Sequence, residues 1–184
     1  MTNKYTKLQM ACKELAKNTH LIEIDKIRKK FNIFLATDMQ NREIKHTKFL
    51  AYLLDPNESH DLGHEFLMRF LQKLPIQNRN EFDILDLNLE FSKVISERSI
   101  DHDETEEKKK AQIDLIIEIP SLKMLGKHHV LVIENKLKSK QGLQQLRRYK
   151  TTTEKHYADN HASINYYFLT LTEEEPEDDN WMPI

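Results

Sequence analysis

AQIDLIIEI (residues 111–119) and HHVLVIENK (residues 128–136) decide the fold of this 184-residue chain. Each is short, apolar for most of its length, and rich in β-branched residues, so each reads as a β-strand. Each also carries acidic groups, Asp114 in the first and Glu134 in the second. A buried carboxylate is costly unless it is paired, hydrogen-bonded or bound to a metal. Val130–Ile133 is continuously apolar, as in a central strand covered on both faces. Side chains alternate across a strand, so Glu134 and Lys136 share one face and Asn135 takes the other. If the two strands are neighbours, Asp114 approaches Glu134, and two such carboxylates repel unless a cation lies between them. Mg²⁺ accepts one or two carboxylates together with water and phosphate oxygens, and Mn²⁺ can replace it in such a set. Asp114 and Glu134 are therefore the candidate metal ligands. Lys136 is placed to orient or deprotonate an attacking water, or to hold a phosphate oxygen. The chemistry implied is phosphodiester hydrolysis.

Outward from these strands, the sequence orders the rest of the chain. Residues 4–17 and 20–36 carry apolar positions at helical spacing, and a third helix runs from Arg42 to Leu54, stopped by Asp55-Pro56-Asn57. Leu62–Leu74 reads as a fourth helix, ended by Pro75. Residues 84–99, with LNLEFSKVISER at their centre, show partial alternation and read as a strand. DHDETEEKKK (residues 101–110) reads as a solvated hairpin tip, with Lys108–Lys110 as a lesser candidate for phosphate contact. Residues 139–157 read as a basic helix, 164–171 as a last strand, and the acidic tail as loop. The expected architecture is α/β: a mixed central β-sheet flanked by helices, in one compact domain overall. It divides into an N-terminal helical segment (1–40) and a catalytic region (41–184).

Composition narrows the function classes. The net charge is −2, so no overall basic charge marks nucleic-acid binding, and any such contact must come from a local stripe. Lys138, Lys140, Arg147, Arg148 and Lys150 form one after the second strand. Gln145 and Tyr149, four residues apart, share a helical face there. Arg98 is a further candidate for a phosphate, set against an ion pair with Glu97 or Glu90. Cys12 is the single cysteine, which excludes an internal disulfide and fits a reducing cytoplasm. No apolar run approaches a membrane span, so no membrane partner is expected. His60 and His64 have the i, i+4 spacing that suits zinc on a helix, but a helix is only starting between them and no HExxH pattern is present, so His60 reads as a loop-closing residue.

Taken together, Asp114, Glu134-Asn135-Lys136 and Gln145…Tyr149 resemble the PD-(D/E)XK nuclease superfamily. The segment NREIKHTKFLAYLLDPNESHDLGHEFLMRFL (residues 41–71) is similar to the opening of an uncharacterised bacterial branch of it. Ile113 stands where the name-giving proline would be. The resemblance implies a restriction-endonuclease-like core, α-β-β-β-α-β, preceded by the N-terminal helices. It implies that Asp114 and Glu134 bind Mg²⁺, that Lys136 assists hydrolysis, and that Glu43, on the first core helix, completes the catalytic set. Gln145, Tyr149 and Arg98 are the residues expected to meet nucleic acid, DNA in the first instance. The branch it resembles continues past the last strand, so the chain reads as a short or C-terminally cut member, with a homodimer or larger complex as the expected assembly. A module on the same fold that binds nucleic acid or a partner without cutting is the alternative.

Overall fold

The computed structural model describes residues 32–75, 83–101, 110–137, 144–158, 163–171 and 174–184, with scattered positions between 7 and 23. The expected helices 4–17 and 20–36 fall largely outside the described residues, as do 102–109, Lys138 and Lys140. The chain divides into two compact units, Met1–Gln40 and Asn41–Ile184. Among the described residues of the first, Ile33–Ala36 form a helical turn, α1, capped by the Asn32 side chain, which accepts from the Phe34 and Leu35 N–H groups.

The second unit is built on a sheet of strands β1 (Lys93–Asp101), β2 (Lys110–Pro120), β3 (His128–Lys136), β4 (Ser163–Thr170) and β5 (Trp181–Pro183). They lie side by side in that order. β1, β2 and β3 pair antiparallel, and β3, β4 and β5 pair parallel, so the sheet is mixed. Helices α2 (Glu43–Leu54) and α3 (Glu65–Leu71) precede the sheet, and α4 (Gln145–Tyr157) connects β3 to β4. The fold is the α/β, restriction-endonuclease-like arrangement expected, with one strand more. α2 carries Glu43 in its first turn, favourable at the positive end of the helix dipole. It stops at Asp55, which precedes Pro56 and is extended. His60 closes the loop that follows: its Nε2 bonds the Asp55 carbonyl at 2.9 Å and its Nδ1 accepts the Leu62 N–H at 3.0 Å. Both ring nitrogens are thereby used, which leaves no lone pair for zinc.

Each face of the sheet has its own core. Ala51, Leu54, Leu67 and Leu71 of α2 and α3 pack with Leu115, Ile117, Leu131, Ile133 and Tyr167. Leu146, Tyr149 and Tyr157 of α4 pack with Ile113, Ile116, Val130, Val132 and Phe168. The alternation along β3 and β4 is that of a strand covered on both sides. Ile116 and Ile117 are both fully buried, one in each core. Together the two layers make a three-layer sandwich, helix–sheet–helix.

Two sequence expectations are corrected. Residues 84–91 are not strand: Ile84–Asp86 and Leu89–Phe91 each form one 3₁₀ turn, and the strand begins at Lys93. The Asp83 side chain accepts the Leu85 N–H and starts the first turn, a local capping bond that competes with extended structure. The tail is not all loop. Trp181, Met182 and Pro183 pair with Tyr166, Tyr167 and Phe168 of β4, and Trp181 fills the α4 side of the core beside Tyr166.

Candidate active site

The two-residue period of β2 breaks at Asp114. Ile113 and Ile116 lie in the α4 core although they are three positions apart along the strand, while Leu115 lies in the opposite core. The pleat is therefore inverted at one residue. Opposite it on β1, Glu97 has φ 55°, the left-handed region that a residue with a side chain adopts at a cost of about 1–3 kcal/mol. The β1–β2 ladder pairs Ser96 with Leu115 and Arg98 with Ile113 and omits the Glu97–Asp114 rung between them. The β2–β3 ladder begins at Leu115–Ile133, so the register puts Asp114 opposite Glu134 one step beyond it. Glu97, Asp114 and Glu134 thus occupy one level across three adjacent strands, where main-chain pairing has opened on both sides of Asp114. Asp114 Oδ2 instead accepts the Asn135 N–H at 2.8 Å.

β3 delivers its last residues to both faces, as the alternation requires. On the α4 face, Glu134 Oε1 meets Lys136 Nζ at 2.7 Å and accepts from Gln145 Nε2 at 2.9 Å. The same Gln145 Nε2 lies 2.9 Å from Tyr149 Oη. The i, i+4 pair on α4 therefore acts as one bracket on the carboxylate. On the other face, Asn135 Nδ2 donates to Thr47 Oγ1 of α2 at 3.0 Å, a fully buried bond. One turn earlier on α2, Glu43 Oε1 accepts the Leu137 N–H at 3.0 Å, just past the end of β3. Glu43 and Thr47 are four residues apart and so project from one side of the helix.

The electrostatics follow from this crowding. Glu134 is 1% exposed, and its Oε2 is buried without a hydrogen-bond partner. Burial, and then the Asp114 charge, push Glu134 up to about 8, against the pull of Lys136. Burial also pushes Asp114 up to about 6; the Asn135 N–H and Lys136 oppose this, and the Glu97 and Glu43 charges add to it. The two carboxyls titrate as a pair that holds a proton between them near neutral pH. Burial alone would lower Lys136, but its bond to Glu134 and the charges of Asp114 and Glu43 outweigh that and hold it above the ordinary lysine value. Lys136 is thus an ammonium at neutral pH, a donor rather than a base.

Among the described residues no three His, Cys, Asp or Glu side chains converge on a closed cation cage. The fit of a cation rests instead on the Asp114–Glu134 pair. It offers hard oxygen donors, one of them orphaned and buried, and it carries mutual repulsion that a divalent ion would relieve.

The structure brings together Asp114, Glu134, Lys136, Glu43, Gln145 and Tyr149. It does not bring Arg98 to them. Arg98 Nη1 pairs with Glu118 Oε1 at 3.4 Å, and Nη2 donates to His156 Nε2 at 3.0 Å, near the far end of α4. The partner is Glu118, neither Glu97 nor Glu90. Glu97 and Thr47 were missed as members of the site. Glu97 Oε2 accepts from Gln112 Nε2 at 2.7 Å, and its Oε1 is buried without a partner. Nothing in the sequence fixes the antiparallel register that sets Glu97 level with Asp114. Thr47 did leave a signal, a polar residue one helical turn from Glu43 and on the same face as the apolar Ala51 and Leu54.

The sequence model of the PD-(D/E)XK nuclease superfamily matches residues 31–183. The chain belongs to the PD-(D/E)XK nuclease superfamily. The match begins before α2 and runs through β5, and so covers every element that builds the site. No curated protein matched the chain, and no solved structure did. Superfamily members are generally nucleases that use divalent metals, so a nucleic-acid substrate is implied. Among the described residues, no helix of this PD-(D/E)XK chain is long and apolar enough to cross a membrane.

Proposed function

We propose that this chain is a Mg²⁺-dependent nuclease that hydrolyses phosphodiester bonds in DNA. The observation that carries the reading is the Asp114–Glu134 pair, both raised by burial and Glu134 also by the Asp114 charge, with an orphaned Glu134 oxygen and an ammonium 2.7 Å from its other oxygen. Asp114 and Glu134 would hold the cation. When bound, the cation supplies Lewis acidity at the phosphoryl group and a lowered pKa for a coordinated water.

The chain's own residues do the rest. Lys136, kept protonated by its neighbours, binds a phosphate oxygen and stabilises charge that develops on it. Its bond to Glu134 fixes the ammonium before substrate arrives, so little reorganisation is needed during reaction. Gln145 holds the Glu134 carboxylate in one orientation, and Tyr149 holds Gln145. Asn135, through Thr47, anchors the end of β3 from the other face, and Glu43 fixes the backbone at Leu137. The DNA assignment rests on the resemblance of the motif set to nucleases of this superfamily.

The test is a cleavage panel of plasmid, linear duplex and single-stranded DNA, and RNA, with Mg²⁺ or Mn²⁺ and with EDTA. The expected result is metal-dependent cleavage of DNA, lost in Asp114→Asn, Glu134→Gln and Lys136→Met. Cleavage of RNA alone would reassign the substrate. No cleavage of any member by a folded, metal-loaded protein would leave a non-cutting binding module on this fold.

A further inference from the structure

A cleft of about 330 Å³ opens between β1 and α4, lined by Arg98, Ser99, Ile100, Thr152, Lys155 and His156. We infer that this cleft is a second phosphate site, which seats a backbone phosphate of the nucleic acid whose scissile bond lies at Asp114 and Glu134. The inference rests on the nuclease reading above and adds where the rest of the strand lies. Among the described residues the polar lining consists of two cations, an imidazole and two hydroxyls, with no carboxylate. Phosphate is the ligand such a set recognises, through charge-assisted hydrogen bonds.

The guanidinium is held in place from behind. Glu118 Oε1, itself bonded by Tyr157 Oη at 2.6 Å, takes one Arg98 nitrogen at 3.4 Å, and His156 takes the other at 3.0 Å. Arginine has only donors, so His156 Nε2 accepts that bond. Those contacts use two of the five N–H donors of a guanidinium and leave donors for a ligand. The side chain is partly exposed, and Lys155 and His156 are exposed.

The position fits a strand that runs from one site to the other. β1 and β3 both run antiparallel to β2, so they point the same way. Arg98 pairs with Ile113, and the β2–β3 register carried on puts Ile113 level with Asn135. Arg98 is therefore level with the acidic site and two strands away, roughly 10 Å at the usual strand spacing. α4 spans the same gap, with Gln145 on Glu134 at one end and His156 on Arg98 at the other, about 16 Å along the helix axis. At about 3.4 Å of rise per nucleotide, 10–16 Å corresponds to roughly three to five nucleotides. The carboxylate site repels phosphate until a cation is bound, so a fixed cationic cleft a few nucleotides away supplies attraction that does not depend on metal.

The experiment measures binding and cleavage separately. Fluorescence anisotropy in EDTA, with a labelled 30-nucleotide DNA as single strand and as duplex, compares the wild type with Lys155→Ala, Arg98→Ala and the double variant. Lys155→Ala is a surface change that leaves the Glu118 contacts of Arg98 in place, so it tests the cleft even if Arg98→Ala unfolds. The expected result for the double variant is roughly tenfold weaker binding, with the slope of log K against log salt reduced by about one. With metal present, a substrate trimmed to two nucleotides on the cleft side should be cut equally by the wild type and Lys155→Ala, and a longer one more slowly by the variant. Unchanged affinity and salt slope overturn the inference, as does failure of the wild type to bind either DNA. Inorganic phosphate that shifts Lys155 and His156 NMR signals, with no change in DNA affinity on substitution, assigns the cleft to a small phosphate ligand and also overturns it. A wild type that binds through the cleft but cuts nothing overturns the nuclease reading and leaves the cleft standing.

Discussion

Glu134→Gln should remove a fall in stability with rising pH that the metal-free wild type shows. Burial and the Asp114 charge push Glu134 up to about 8 from an ordinary 4.5. A carboxyl whose value is higher folded than unfolded holds its proton more tightly when folded. Its stabilising contribution is therefore complete below the unfolded value and is lost as pH rises through the folded one. In that interval each such proton lowers stability by about 1.4 kcal/mol per pH unit. Asp114, pushed up to about 6, acts with the same sign at lower pH. His129 acts with the opposite sign: burial first, then Lys127, hold it below its ordinary 6.5, so it adds stability as pH rises toward 6.5 and nothing further above. The window from pH 6.5 to 8 therefore isolates Glu134. Across it the loss is about 2 kcal/mol, which for a domain of this size is a Tm drop of roughly 4–8 °C. Circular dichroism melts in EDTA at quarter-unit steps would read it. A wild-type Tm that is flat or rising across the window, or a Glu134→Gln slope equal to the wild type's, would refute the reasoning.

Three further outcomes follow from the same geometry. Divalent-cation binding must displace the proton held by the carboxylate pair, so calorimetry in buffers of different ionisation enthalpy should show about one proton released per ion at pH 7; zero release contradicts the shared proton. Thr47→Val leaves Asn135 Nδ2 buried without its acceptor and should cost about 1–3 kcal/mol in urea denaturation; a change within error would mean the bond does not hold β3. Glu97→Gln removes a charge that raises Asp114, so the Asp114 carboxyl, followed by NMR, should titrate lower than in the wild type; an unmoved titration would place Glu97 outside the site.

The central strands and most of the candidate site are legible in the sequence because their signals are local. Apolar runs bounded by turns gave β2 and β3, and alternation within three residues put Glu134 and Lys136 together and sent Asn135 the other way. The i, i+4 spacing gave Gln145 and Tyr149 as a pair. What depends on register was not legible. Glu97 joins the acidic level only because β1 pairs with β2 at one particular offset. A one-residue slip would have put Arg98 there instead. β5 is three residues long and follows an acidic run, so pairing with β4 and burial of Trp181, rather than any intrinsic pattern, make it a strand. The stretch 84–91 misled because LNLEF alternates like a strand, while the Asp83 cap and the short-range turns decide its conformation.

Diffraction from crystals soaked in Mn²⁺, with anomalous data collected at its absorption edge, would examine the acidic pair most directly. The expected map has a single peak with an oxygen of Asp114 and one of Glu134 at roughly 2.0–2.6 Å, the range hard divalent cations take, and no peak in Glu134→Gln crystals. A map with no peak at that pair, or with manganese bound elsewhere on the chain, would contradict the account.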